Sequence, residues 1–269
     1  MRMYKRSQIA DMVGLTGSLT KIVSRPAIQA TGGIITKSGL YTYHTFKSSG
    51  SFIALYPLMA DILIVGGGGS GGAVPSYSWG YASGGGGAGA MLEQFGRSLA
   101  VATFPIVVGN GGSMVYGSSG GNGYNGGNSS FDTAVALGGG GGGAGSSGLN
   151  GGCGGGGGVD SQATNKNGGG SIQTAVSGFS IYGTSGGYAG GGGGAGGAGV
   201  HGTGTNSGAG ASRISSITGN VYCAGGRSEL TVGYSQPQAN SGNGGDSAGD
   251  VGRDSKAGCS GVVVIRYLT

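Results

Sequence analysis

Residues 138–143 are six consecutive glycines, and runs of four or five recur at 66–69, 84–87, 154–158 and 190–194. Such a run has no side chain to bury, so neither an amphipathic helix nor an alternating strand can stabilise it. In all, 73 of 269 residues are Gly, about a quarter of the chain against a usual ~7%. Ordering Gly costs roughly 0.5–1 kcal/mol more than ordering Ala, so folding these tracts carries a penalty of tens of kcal/mol. What the missing Cβ permits is close approach on every side. In the extended helix with three residues per turn, each tract can donate and accept N–H···O bonds sideways, at about 1 kcal/mol net apiece, with Cα–H···O contacts adding less. A bundle can therefore be stable where a solitary tract cannot. Collagen is excluded, because no strict G-X-Y register is kept and only 5 prolines are present.

Glycine density also empties the familiar glycine motifs of meaning. The stretch DILIVGGGGSGGAV at 61–74 contains both a G-x-G-x-x-G and a G-x-S-x-G. A dinucleotide loop must open a helix, and a nucleophile elbow needs strand–turn–helix around its serine. Here AVPSYSWGYASGGGGAGA follows, and no helix is expected from it. No Walker lysine follows any glycine run. The sequence implies no cofactor, and Gly66–Gly72 reads as the first rod of the bundle.

The apolar residues are organised rather than scattered. Residues 26–65 are rich in β-branched and aromatic residues, with turn signals at KSG and SSG that predict hairpins. In YTYHTF, alternation places Tyr41, Tyr43 and Thr45 on one face and Thr42, His44 and Phe46 on the other, which makes His44 structural. ILIV and the terminal VVVI read as buried strands of one sheet, clasping the glycine region. Ala88, Ala144, Cys153 and Ala195 are expected where a rod faces outward or meets the β layer. The fold class expected is thus mostly β and irregular: a bundle of polyglycine-II helices joined by loops, clasped by a small antiparallel β unit. That unit is drawn from residues 33–65 and 261–268, with rods over 66–260.

Net charge is +5 with only 9% charged residues, which signals scarce acids rather than a nucleic-acid surface. No secretory signal or apolar span is apparent, so a soluble protein without membrane insertion is expected. Residues 1–25 hold five of the 14 basic residues (Arg2, Lys5, Arg6, Lys21 and Arg25) and read as a docking segment outside the domain at 26–269. Cys153, Cys223 and Cys259 form no C-x-x-C pair and sit near neither histidine in sequence, so packed free thiols are expected and no metal.

Several segments in order carry a resemblance: QATGGIITKSGLYTYHTFKSSGSFIALYPLMADILIVGGGGSGG, FPIVVGNGGS, GGNSSFDTAVALGGGGGG and GCSGVVVIRY. Together they resemble the glycine-rich domain of bacteriophage tail-fibre and tail-tip proteins, from about Ala30 to Tyr267. The resemblance implies a phage virion protein, assembled in the host cytoplasm, with polyglycine-II rods and exposed loops that recognise the host. It implies as partners other phage tail or virion proteins and a bacterial surface receptor, an outer-membrane protein or a glycan. A homo-oligomer such as a trimer stays open. Aromatic rings on loops give contact area at low entropic cost, so Tyr77, Trp79 and Tyr81 are the first receptor-binding candidates. Tyr116, Tyr124, Tyr182, Tyr188 and Tyr234 follow. Arg2, Tyr4, Lys5 and Arg6 are candidates for virion docking. The alternative is a purely structural tail, baseplate or capsid-decoration protein. An enzyme degrading surface polysaccharide would need paired carboxylates, for which Asp132, Asp160, Asp246, Asp250 and Asp254 offer no pattern; no catalytic residue is assigned.

Overall fold

A computed structural model of the chain describes residues 28–75, 82–202, 207–228, 238–248 and 252–269. Among these residues there are strands and irregular tracts but no helix. In chain order the strands are β1 (Ala30–Thr31), β2 (Ile34–Ser38), β3 (Tyr41–Phe46), β4 (Gly50–Ala54) and β5 (Leu58–Val65). They continue as β6 (Met91–Leu99), β7 (Ala102–Val107), β8 (Ser129–Phe131), β9 (Ala134–Ala136), β10 (Ser180–Tyr182), β11 (Arg213–Ile214), β12 (Val221–Tyr222) and β13 (Val262–Leu268).

Two antiparallel sheets share one core. One has the order β1-β4-β7-β8-β9 and the other β10-β6-β5-β13-β3-β2. ILIV and VVVI are direct partners, with Val65 opposite Val262 and Ile62 opposite Ile265. These two stretches are apolar throughout because both their faces are covered. Ile62, Ile64, Val263 and Ile265 pack with Phe52, Ile106 and Phe131 of the facing sheet. Leu63, Val65, Val262 and Val264 face the other way, onto Ala88, Cys153, Ala195 and Cys223. Three of the four interrupting residues thus meet the β layer, while Ala144 sits half-buried at a tract end. The alternation in YTYHTF is as read: Thr42, His44 and Phe46 are buried and the other three half-exposed. His44 is a core residue, with Nδ1 2.7 Å from the Gly32 carbonyl and Nε2 3.0 Å from the Tyr267 hydroxyl.

The structure revises two expectations. The β layer is larger than residues 33–65 and 261–268, because β6 to β12 come from the stretch assigned wholly to rods. Leu92, Ile106 and Phe131 in those strands are fully or almost fully buried in the core, and this burial holds MLEQFGRSL and ATFPIV in the sheets. The KSG signal is a hairpin turn between β2 and β3, with Gly39 at φ 57°. The SSG signal is not: β3 and β4 lie in different sheets, and the segment between them crosses the sandwich so that Phe46 and Phe52 enter one core from opposite layers.

The glycine tracts are laid out by a three-residue repeat in their hydrogen bonds. In the first tract Gly66, Gly69 and Gly72 donate to the carbonyls of Ala90, Gly87 and Gly84. Gly67, Ser70 and Ala73 donate to Gly127, Tyr124 and Gly121, and Gly68 and Gly71 to Cys259 and Lys256. Every row steps by three on both sides, with partner numbers falling, so these three neighbours run antiparallel. Carbonyls serve three more tracts: Gly67 and Ser70 accept from Gly139 and Gly142, Gly69 and Gly72 from Gly245 and Ala248, and Gly68 from Gly112. One tract therefore has six neighbours, and the absent Cβ is what lets them in. A Cβ built on Gly66, Gly67, Gly68, Gly69 or Gly71 would overlap a neighbouring backbone carbonyl.

Where a tract lacks a backbone neighbour, side chains substitute at the same period. Asn128, Asn125 and Asn122 accept through Oδ1 from the N–H groups of Gly138, Gly141 and Ala144, each at 2.9 Å. Asn243 and Asp246 do the same for Ala224 and Arg227. At Gly138, Gly141 and Ala224 the bond is part-buried, and leaving the donor unpaired there would cost about 1–3 kcal/mol; at Ala144 and Arg227 the bond is exposed and water can take its place.

Candidate functional site

Register along the tracts defines two ends. The first tract leaves β5 at Gly66, and its far residue Gly72 is level with Gly84, while Ala90 leads back into β6. Ala73 bonds reciprocally with Gly121, whereas Gly67 is level with Gly127 beside β8. Gly143 lies level with both Gly84 and Gly156, and Gly157 with Gly187 and Gly190. The tracts shuttle between the sandwich and this far end, which is built from the connecting turns. Described turns there include 116–120, closed by Gly120 N–H on the Tyr116 carbonyl, and 160–163, closed by Ala163 N–H on Asp160. The turn at 188–189 carries Ala189 at φ 43°.

The opposite end is where residue 28 enters. Leu55 N–H donates to the Gln29 carbonyl, and Gln29 Nε2 donates to the Leu268 carbonyl at 3.3 Å. Leu40, Leu55, Tyr56 and Val101 in the strand-connecting loops of that end are exposed.

The aromatic candidates separate by position. Tyr116 (60% exposed) and Tyr188 (39%) both sit in far-end turns. The Tyr188 ring meets His201 edge-on at 6.4 Å between centroids, and its backbone N–H donates to His201 Nδ1 at 2.8 Å, which fixes the turn. Tyr124 is exposed but lies within a tract, level with Ser70, so it belongs to the bundle flank rather than a loop. Tyr182 is in β10, half-buried, with the Arg213 guanidinium 3.6 Å from its ring centroid. Tyr77, Trp79, Tyr81 and Tyr234 lie outside the described residues, as do Arg2, Tyr4, Lys5 and Arg6; Pro75 and Ala82, which flank 76–81, are at the far end.

The carboxylates named from the sequence are engaged singly. Asp132 pairs with Arg97 at 2.7 Å, Asp254 accepts from Gly117 N–H and Asp246 from Arg227 N–H. Asp160 organises its turn by accepting from the Gln162 and Thr164 N–H groups. Lys166, bonded to it, holds this carboxyl below its ordinary range, helped by the Thr164 N–H. Asp250 lies outside the described residues. Among the described residues no three His, Cys, Asp or Glu side chains cluster as metal ligands.

Sequence reading missed the side-chain ladders and the two-ended layout. The ladders had a signal: Asn122, Asn125 and Asn128, and likewise Asn243 and Asp246, recur every third residue. The layout had none, because it depends on which tracts become neighbours.

A β-sandwich carrying a laterally bonded bundle of glycine tracts defines a glycine-built β protein whose turns at 116–120, 160–163 and 188–189 share the end away from the sandwich. The chain belongs to the glycine-rich domain family, whose pattern matches residues 47–268. No curated protein matches it.

Proposed function

We propose that the glycine tracts are polyglycine-II helices and that the protein is a bacteriophage virion component, a tail-fibre or tail-tip adhesin. It binds the host surface through the turns between rods. The observation that carries this reading is the three-residue repeat of lateral bonds around Gly66–Ala73. Three residues per turn is the period of that helix, and such a bundle holds its turns rigidly at one end. Two-endedness supports the adhesin over a purely structural role. Exposed Tyr116 and Tyr188 stand on turns remote from the end where residue 28 enters, so attachment and recognition are separated. Residues 1–25 then dock the protein to other tail or virion proteins, and the partner at the far end is an outer-membrane protein or a surface glycan.

The test is binding of purified protein to host cells. Tyr116→Ala, Tyr188→Ala and Trp79→Ala should keep the melting temperature and weaken attachment, by about 2 kcal/mol or more for a hot spot. A chain starting at Pro26 should remain folded, bind cells and fail to join the virion. Folded protein that never binds host cells, yet assembles into particles, establishes the purely structural alternative.

A further inference from the structure

An open groove of about 620 Å³ lies on the six-stranded sheet, far from the turn end. Its floor is Val262 and Val264 of β13 with Tyr43 and Thr45 of β3. One wall is Thr36 and Ser38 of the edge strand β2, with Lys47 beyond; the other is the β11–β12 turn. The walls are held in place before any ligand arrives. Asn240 Nδ2 is shared among the Lys47 carbonyl, Ser260 Oγ and the Gly261 carbonyl. Ser241 Oγ donates to the Gln238 carbonyl, and Thr218 Oγ1 to the Tyr222 hydroxyl at 3.3 Å.

We propose that this groove binds a short oligosaccharide. Thr36, Ser38, Thr45, Asn220 and Gln238 supply hydroxyls and amides that both donate and accept, the complement of a pyranose rim whose hydroxyls do the same. Tyr43, half-exposed beside the buried Tyr222, supplies a ring with an apolar face and a polar tip, suited to the C–H face of a sugar. Other ligand classes fit worse. Among the described residues the lining has no carboxylate for a metal and a single cation, Lys47, which is too little for a nucleotide polyphosphate. The apolar floor is confined to two valines, too small for a lipid or steroid. The volume falls within the ~300–1,000 Å³ of small-molecule sites. The site is independent of the far-end turns, so it would stand even if those turns bind nothing.

Saturation-transfer NMR on the full chain tests the proposal, with maltotriose, N,N′-diacetylchitobiose, lactose and 3′-sialyllactose as probes. At least one should bind saturably and receive saturation from Tyr43. Thr45→Val and Asn220→Ala, both at accessible positions, should each weaken it about tenfold, the effect of one lost hydrogen bond at an otherwise intact site. Tyr116→Ala at the far end should leave it unchanged. The proposal is overturned if none of the four probes binds at 10 mM. It is equally overturned if binding survives both groove variants, or disappears in Tyr116→Ala alone.

Discussion

The side-chain oxygen of Asn125 sits 2.9 Å from the backbone nitrogen of Gly141, standing in for the carbonyl of a tract that is not there. On the other sides of Gly141 the backbone supplies partners directly, with the Gly141 carbonyl accepting from Leu149 N–H. The perimeter of the bundle is thus finished by asparagines at the period of the tracts themselves.

Replacing Asn125 with Ala should leave the Gly141 N–H unpaired and cost about 1–3 kcal/mol. Asn125→Asp keeps the acceptor, gives up only the exposed Nδ2 donation to the Asn150 carbonyl at 3.2 Å, and should cost less. Thermal melts of both variants, together with amide exchange at Gly141, measure this. Equal losses in the two would mean that the ladder bond contributes nothing.

Gly141→Val should be far more damaging than a change at a spacious glycine. A Cβ on Gly141 would overlap the Gly123 carbonyl, whereas on Gly170 the nearest atom is Asn150 Oδ1 at 3.5 Å. Overpacking commonly costs 1–3 kcal/mol, and a clash with rigid backbone belongs at or above the top of that range. Gly170→Ala should be neutral or stabilising by up to about 1 kcal/mol, because it restricts the unfolded chain. Denaturant midpoints decide between them, and a tolerant Gly141 would contradict the packing.

His44 should make stability fall as the solution is acidified below neutrality. Burial lowers its pKa, while the hydrogen bond to the Gly32 carbonyl raises it in part. The unfolded chain, with an imidazole near 6.5, therefore binds a proton that the folded one resists. Stability from this residue is complete above about pH 6.5 and declines below it towards the lowered folded value, at no more than ~1.4 kcal/mol per pH unit. Unfolding free energies between pH 7.5 and 5 should show this slope in the native protein and a flatter one in His44→Gln. An unchanged slope in the variant would assign the acid sensitivity elsewhere.

The Cys153 and Cys223 thiols should be inert in the folded state. Both are fully buried, and burial pushes Cys153 up to about 12 and Cys223 well above the ordinary thiol range. Since the thiolate is the nucleophile, a disulfide-exchange reagent at pH 8 should modify them only as fast as the bundle opens. In strong denaturant all 3 cysteines should react at once. Reaction of either Cys153 or Cys223 within seconds under native conditions would contradict their packing against Val65 and Val262.

Much of this protein is determined by short-range sequence chemistry. Runs such as Gly138–Gly143 leave lateral backbone bonding as their one stabilising option, because they have no side chains to bury. ILIV and VVVI had to be buried strands, and the alternation in Tyr41–Phe46 divided β3 into two faces, of which the tertiary structure buries Thr42, His44 and Phe46. Tertiary structure decided the rest. MLEQFGRSL and ATFPIV joined the sheets because the core around Phe52 and Phe131 had room for Leu92 and Ile106, a fact set by strands distant in sequence. Crossing from one sheet to the other at Ser48–Ser49, where a hairpin would serve locally, likewise depends on where Phe46 and Phe52 meet. The tracts themselves are nearly interchangeable as sequence. Which six surround Gly66–Ala73, and therefore that Tyr116 and Tyr188 share an end while Tyr124 stays on the flank, follows from register between backbones. Glycine carries no side chain to encode that register locally, so it is fixed where the tracts meet residues that do: the β layer at Ala88, Cys153 and Ala195, and the asparagine ladders at the rim.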